Sequence, residues 1–562
     1  MSTTLPVVQP SLDLVEQLLA EQQSLTAVEQ FSALHEAGDG RTFGEPDQAR
    51  YYQKLLPATA PQPGQQFSFE VDLDQCSGCK ACVVACHTLN GLDEDESWRR
   101  VGTLTIGEQA PRIQHVTTAC HHCEDPGCLN GCPVKAYDKD PVTGIVRHLD
   151  DQCIGCKYCT MMCPYEVPQY SERLGIVRKC DMCHQRLSAG EAPACVQSCP
   201  NEAIAIRIVD VASDRFSDTD TLAAGAPPST ITKPTTIYKS NALTGNELAV
   251  PQDHQVDSIA ESHWPLAVML VATQISVGIL LAERVAALLA ILIGSQLPIA
   301  ATQYATVIAL MIAGAGMGIA PLHLGQPLRA WRVFLGLRTS WLSREAVVLG
   351  KYMGLLTATV ALTWMPLFAE YLPSLVTDLI PSWAAKATLV VTLITGVAGL
   401  ASSAMIYVAT KRQLWRTDRT FTRFFGTTIV AGAAWMVPVF LFVQGSSPLT
   451  LLVTLATVAV VAGKLCWEWT HYLAPQSTGD EYQMRSSQLV HGPLAKTTQL
   501  RIKTAIAGLG LLLLATVFGW ITPVVGALMG GAAAIAISGG EYCERLLYFQ
   551  SVVYDRMPGT LK

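Results

Sequence analysis

Residues 153–164 read Cys153-Ile154-Gly155-Cys156-Lys157-Tyr158-Cys159-Thr160-Met161-Met162-Cys163-Pro164. The spacing is C-x2-C-x2-C-x3-C-P, which holds a [4Fe-4S] cube with three thiolates and gives the fourth to a neighbouring cube. Three more groups of four surround this run. Cys76, Cys79, Cys82 and Cys86 repeat it, with His87 in place of the proline. Cys120, Cys123, Cys128 and Cys132 widen the second gap to four residues, and Cys180, Cys183, Cys195 and Cys199 widen it to eleven. Pro133, Pro164 and Pro200 follow the last cysteine of their groups, where proline turns the chain and removes a backbone donor. Disulfides would need an oxidising compartment. Zinc ribbons pair C-x2-C units across longer loops and do not use the triplet. Sixteen thiolates suffice for four [4Fe-4S] clusters, so this segment reads as a path for electrons.

Composition divides the 562 residues in two. Up to about residue 262 the chain is polar and cysteine-rich; after His263 it is dominated by long apolar runs, with only Cys466 and Cys543 left, read as buried apolar thiols. A net charge of −7 gives no reason to expect nucleic-acid binding. The N-terminus carries no basic stretch before Asp13, so no cleavable signal peptide is expected. Ser11 is suited to cap a helix over Leu12–Gln22, and Thr26-Ala27-Val28-Glu29 has the form of a capping box for a second. The expected divisions are a helical extension (1–66), a four-cluster domain (67–208), a linker or extended strap (209–262), a membrane domain (263–545) and a tail (546–562). Fifty residues is long for a structureless loop, which favours the strap.

A bilayer span takes about 20 helical residues. Eight spans are expected, near 265–282, 299–320, 345–365, 386–409, 425–444, 449–468, 503–520 and 522–541. Gly314, Gly316 and Gly318 lie within one and read as helix-packing residues. Lys and Arg concentrate on the side shared with the cysteine domain, sixteen against Arg284 and Lys386 opposite. This bias places the cysteine domain in the cytoplasm, at the inner membrane. Glu283, Lys464 and Glu468 fall near helix ends and read as snorkelling side chains. Charged residues deep in the spans are too few to argue for ion pumping.

The four motifs in this order, with expanded second and fourth loops, resemble the four-cluster electron-transfer subunits of the dimethyl sulfoxide reductase family of molybdoenzymes over about 67–208. Trp98-Arg99-Arg100-Val101 also looks like a family segment, either an ordinary strand or a contact element. The resemblance implies that the first motif pairs with the fourth and the second with the third. Cys76, Cys79, Cys82 and Cys199 then hold one cluster; Cys180, Cys183, Cys195 and Cys86 the second; Cys120, Cys123, Cys128 and Cys163 the third; and Cys153, Cys156, Cys159 and Cys132 the fourth, nearest the membrane partner. Some relatives put tryptophan at the Cys156 position and build a three-iron cluster; Cys156 here implies four cubes.

A second resemblance covers about 261–545. His263-Trp-Pro-Leu, His323-Leu-Gly-Gln-Pro-Leu-Arg-Ala and Ser340-Trp-Leu-Ser-Arg-Glu345 look like the membrane-anchor subunit of the same family. The expected architecture is therefore a ferredoxin-like α+β four-cluster domain fused to an all-α bundle of eight transmembrane helices. The resemblance implies a menaquinol or ubiquinol site near the helix ends on the cluster side, with family positions matching His323 and Glu345. Quinol oxidation releases protons, histidine titrates in a suitable range, and a carboxylate at a helix end can pass a proton on. His323 has a helix-cap alternative, and Glu345 an interfacial pair with Arg344. Arg344, Arg329 and Trp341 are weaker site candidates. After His263 only His323, His471 and His491 remain, at ends or in loops, so no b-type haem is expected.

No motif for molybdopterin, flavin or nicotinamide is visible. The expected role is an electron-transfer and anchor subunit that draws on the membrane quinone pool and feeds a separate molybdopterin-containing reductase. The alternatives are the same polypeptide run in reverse, reducing quinone, and a passive anchor whose clusters are fed by a soluble donor.

Overall fold

The computed structural model describes residues 49–107, 111–211, 220–241, 249–254, 256–371, 380–381, 383–476 and 480–560. The two helices expected before residue 49 lie outside them. The described part has a cysteine-rich unit of small sheets and short helices, followed by a helical bundle.

Strand β1 (Gln65–Asp72) alternates Phe67, Phe69 and Val71 with Gln66 and Ser68, and both faces are buried over most of its length. It pairs antiparallel with β8 (Ile204–Asp210), so that Phe69 stands opposite Ile206. Strands β2 (Arg100–Ile106) and β3 (Arg112–Thr118) form a second antiparallel pair. Between β3 and β8 lie two short hairpins, β4–β5 (Tyr137–Lys139, Val146–His148) and β6–β7 (Gln169–Ser171, Ile176–Arg178). The described parts of the segment between the two halves lie along the cysteine domain. Its β9 (Ile237–Lys239) joins β1 in parallel and its β10 (Ala249–Pro251) joins β2. Thr235 in the same segment donates to the His121 carbonyl (2.8 Å) and accepts from Gln66 (3.2 Å), which satisfies the polar face of β1.

Eight helices are long and apolar enough to cross a membrane: α1 Trp264–Leu292, α2 Ile299–Ile319, α3 Trp341–Trp364, α4 Ala384–Val408, α5 Thr417–Gln444, α6 Pro448–Glu468, α7 Ala495–Ile521 and α8 Pro523–Gln550. Several extend further toward the cluster side than hydropathy suggested, because their last turns carry charge while remaining helical. Helix α1 runs through the centre and crosses α5 at Gly278 and Gly432, where a Cβ on Gly278 would stand 2.0 Å from the Thr428 carbonyl oxygen. Of Gly314, Gly316 and Gly318, only Gly316 is in close contact, against Ala272. Large apolar side chains such as Ile291, Leu292, Met311, Val517 and Ile535 stay exposed, a surface suited to lipid. Cys543 is buried as expected, but Cys466 is exposed, because its side of α6 faces outward.

Residues 320–340 are built largely of 3-10 turns and dock on the cysteine domain. The Gln326 N–H donates to the Ile154 carbonyl (3.0 Å) and its side chain to that of Leu174 (2.9 Å). Gly155, Gly175 and Gly325 meet backbone to backbone; a Cβ on Gly325 would lie 2.0 Å from the Gly175 oxygen. Past α8 the chain returns to the cysteine domain, where Arg100 donates to the Thr560 carbonyl (2.9 Å).

Candidate functional site

Left-handed backbone shapes the three-cysteine loops. Gly78 (φ 72°) and Lys80 (φ 62°) flank Cys79, and Gly155 (φ 69°) and Lys157 (φ 58°) flank Cys156. Glycine adopts these angles at no steric cost and lysine at some. A short helix begins at once after each loop, Ala81–Leu89 and Tyr158–Met162. Backbone N–H groups donate to sulfur: Ala136 to Cys132 (3.2 Å), Gly155 to Cys153 (3.3 Å), Ala203 to Cys199 (3.3 Å) and Met182 to Cys180 (3.5 Å). These bonds favour the thiolate form.

The electrostatic neighbours of the thiols include the four expected sets and also cross between them, from Cys180 to Cys120 and from Cys86 and Cys195 to Cys82. In set A, Cys76 lies beside Cys82, Cys199 and Cys79. In set B, Cys86 lies beside Cys195 and Cys183, and Cys180 beside Cys86 and Cys183. In set C, Cys128 lies beside Cys163, Cys120 and Cys123. In set D, Cys159 lies beside Cys156, Cys153 and Cys132. Each set joins three cysteines of one motif to the fourth of another. Set C lines a small cavity of about 20 Å³. As free thiols, burial pushes Cys86 up to about 12 and Cys132 and Cys163 up to about 11. Such thiols keep their protons unless a metal replaces them. Among the described residues, no three or more His, Cys, Asp or Glu side chains close on a single ion, as a zinc ribbon requires. A cube carries its irons at the corners and needs its thiolates held apart.

Two buried cations stand among these sulfurs. Arg99 is 2 % exposed, donates to Thr117 (3.2 Å) and lies near Cys195, Cys82, Cys180 and Cys86. Lys179, also 2 % exposed, donates to Cys120 Sγ (3.5 Å) and to the carbonyls of Val146 (2.5 Å) and Cys180 (2.8 Å). Neither has a carboxylate partner among the described residues. Buried unpaired charge is costly, so the pair calls for an anionic group in the positions the thiols surround. The residues present therefore fit cubane clusters. Arg99 precedes β2 and is a contact residue in the interior, whereas Arg100 begins the strand, so Trp98–Val101 combines both of its expected characters.

At the junction of the halves, a cavity of about 330 Å³ is lined by Lys157, Tyr170, Glu261, His263, Trp264 and His323, among others. His323 sits at the end of its helix and on the cavity wall. Its Nδ1 donates to the Ala320 carbonyl, as in a cap, and its ring lines the cavity. That tautomer leaves Nε2 as an acceptor. Lys157, beside Cys156, pairs with Glu261 (2.6 Å). Burial holds His263 down to about 4. Cys156 itself packs against a hydrophobic core that joins Tyr158 and Met161 to Ala267, Leu270 and Tyr407 of the bundle.

Glu345 does not line this cavity. It is buried one turn into α3 and accepts from Ser403 (2.5 Å), with Tyr158 and Tyr407 in electrostatic range. It makes no pair with Arg344, whose guanidinium lies over the Trp341 ring (4.5 Å) and donates to the carbonyls of Leu337 (3.2 Å) and Arg338 (2.7 Å). Arg329 likewise donates to backbone, at Asp150 and Cys153 (3.3 Å each). Sequence reasoning missed Lys157, Tyr170 and Glu261, because the cavity wall is assembled from distant segments.

It also misread the charges in the spans. Lys464 and Glu468 do not snorkel. Lys464 pairs with Glu468 (2.9 Å) and Glu541, Arg501 with Glu468 (2.9 Å) and Glu541 (2.8 Å), and Arg423 with Glu544. Arg545 lies 3.5 Å from Glu544. Six of these seven are buried and Arg423 nearly so. Glu283 is also buried, paired with Arg284 (2.5 Å) and bonded by Thr302 (2.5 Å). Charge inside the bundle is therefore not sparse, and Lys464 and Glu468, spaced i, i+4 on one helix face, were the available signal.

The profile of the 4Fe-4S dicluster domain family matches residues 112–208, and that of the DMSO reductase anchor subunit family matches 260–548. Over 187 residues, 32 % of its length, the protein is 35 % identical to the B subunit of anaerobic dimethyl sulfoxide reductase from Haemophilus influenzae, covering 90 % of that subunit. The corresponding B subunit of Escherichia coli K12 is 38 % identical over 188 residues, 32 % of this protein and 90 % of that one. Hydrogenase-2 operon protein HybA of Escherichia coli O157:H7 is 35 % identical over 171 residues, 26 % of this protein and 52 % of that one. The protein belongs to the dimethyl sulfoxide reductase family, as an iron–sulfur electron-transfer subunit of the B type joined in one polypeptide to a multi-pass membrane anchor of the DMSO reductase type.

Proposed function

We propose that this protein oxidises quinol in the junction cavity and passes the electrons through four [4Fe-4S] clusters to a separate molybdopterin-containing reductase. The observation that carries this reading is the shared wall of the cavity: Lys157, next to Cys156, and His323, just past α2, border the same space. Sets A to D are the proposed ligands, with set D nearest the membrane because Cys156 packs on a core shared with the bundle. Bound clusters supply one-electron carriers. Residues 67–208 are taken as the cluster domain, 209–262 as the strap and 263–545 as the membrane domain.

His323 Nε2 is the proposed acceptor for a quinol hydroxyl proton. Glu345, buried behind the junction beside Tyr158, takes a proton onward. Arg344 anchors the turn before α3. The arginine-rich loops support a cytoplasmic cluster domain at the inner membrane. The partners are then the quinone pool, as menaquinol or ubiquinol, and the catalytic subunit.

The test is an EPR redox titration of membranes containing the protein, with and without quinol. Quinol should reduce the clusters in the unsubstituted protein and do so roughly a hundredfold more slowly in His323→Ala. Quinol-dependent reduction that keeps its unsubstituted rate in both His323→Ala and Glu345→Gln would mark the bundle as a passive anchor and end this reading.

A further inference from the structure

Arg99 and Lys179 are not spread evenly over the four thiol sets. Arg99 has Cys82 of set A and Cys86, Cys180 and Cys195 of set B as neighbours. It sits over the Phe69 ring (4.7 Å), and its contact Thr117 lies 3.6 Å from Cys82 Sγ. Lys179 reaches Cys120 and Cys128 of set C and, through its carbonyl and sulfur, Cys180 of set B. Its nitrogen lies within hydrogen-bond distance of three acceptors, Cys120 Sγ and the carbonyls of Val146 and Cys180. Neither Arg99 nor Lys179 is among the principal charged neighbours of set D, where His148, bonded to Asp150 (2.7 Å), lies beside Cys153. The lysine beside set D, Lys157, is neutralised by Glu261.

We propose that Arg99 and Lys179 are fixed counter-charges that raise the reduction potentials of the clusters in sets A, B and C and do not act on the cluster of set D. The proposal rests on the four-cluster reading above. Reducing a cluster adds one negative charge. A cation held nearby in a medium of low polarity favours that state, and no carboxylate offsets either cation among the described residues. Removing Arg99 then lowers two potentials, those of sets A and B. Removing Lys179 also lowers two, those of sets B and C. One potential falls in both variants and one in neither. This pattern needs no prior assignment of signals to sites.

The experiment is an EPR-monitored redox titration of the full-length protein in its membranes, with iron analysis, for the unsubstituted protein, Arg99→Gln, Lys179→Gln, and the charge-keeping Arg99→Lys and Lys179→Arg. The expected result is four midpoints in the unsubstituted protein, two lowered by each glutamine variant with one in common, and recovery toward the original values in the charge-keeping variants. Fewer than four clusters in the unsubstituted protein would overturn the four-cluster reading and this assignment with it. Four midpoints that stay in place, or all fall together, in the glutamine variants would overturn the counter-charge proposal alone. Should a glutamine variant lose iron, retention of iron by its charge-keeping partner supports the proposal. Loss in that partner too shows that shape and not charge is required, and overturns it.

Discussion

The two halves of this molecule both bury cations but compensate them differently. In the bundle, Lys464, Arg501, Arg423 and Arg545 share Glu468, Glu541 and Glu544. In the cysteine domain, Arg99 and Lys179 have sulfurs and carbonyls but no carboxylate among the described residues. A buried charge must be balanced wherever it sits, because desolvation removes the screening that water supplies. The bundle carries its balance in its own sequence. The cysteine domain delegates the balance to a group held from outside the polypeptide, so the two halves should differ in what they need in order to fold.

The largest effect expected from this contrast follows from withholding iron. The cysteine domain should lose its protease resistance, since its two buried cations are left without an anionic group to balance them, while the helical content of the bundle persists. Limited proteolysis and circular dichroism on the same sample measure the two halves separately. A bundle that unfolds equally would break the contrast.

Next in size is damage to the network itself. Glu541→Gln leaves Lys464 and Arg501 with Glu468 between them and should destabilise the bundle by about 3–5 kcal/mol, the usual cost of stripping a buried ion of its partner. Thermal unfolding in detergent reads this. Pairing the change with Lys464→Met should restore part of the loss, as a double-mutant cycle would show.

These charges also mark where reading the sequence stopped. Hydropathy located all eight helices, since a span is a local property of about 20 residues. The cysteine motifs are equally local. The ion network is not: its members come from α5, α6, α7 and α8, and each alone looks like a residue at a helix end. The junction cavity escaped for the same reason, being made from Lys157, Tyr170, Glu261 and His323, which only the fold brings together. Arg99 was noticed as part of a segment, but nothing in Trp98–Val101 shows that one arginine points into the interior while its neighbour starts a strand.

A smaller effect on stability, but a large one on turnover, is expected at the junction. His323→Ala should change stability by less than about 1 kcal/mol. It should slow quinol-dependent cluster reduction by roughly a hundredfold, in line with the loss of a positioned acid–base group. Stopped-flow absorbance of the clusters after adding quinol measures the rate.

The smallest effect is expected from Arg344→Gln. Its guanidinium holds two loop carbonyls and a tryptophan face at the half-buried edge, so stability should move by about 0.5 kcal/mol and quinol-dependent reduction should persist. Strong loss of quinol-dependent reduction in this variant would extend the site to Arg344.

The meeting of Gly155, Gly175 and Gly325 sets a distance. With no side chain on any of the three, the two halves approach to the thickness of their backbones at the Cys153–Cys156 loop. Electron tunnelling decays exponentially with the gap it crosses, and a single added methyl here would force the backbones apart and widen that gap. The three glycines work as a spacer gauge, holding the loop that would carry an electron as near to the bundle as a polypeptide allows.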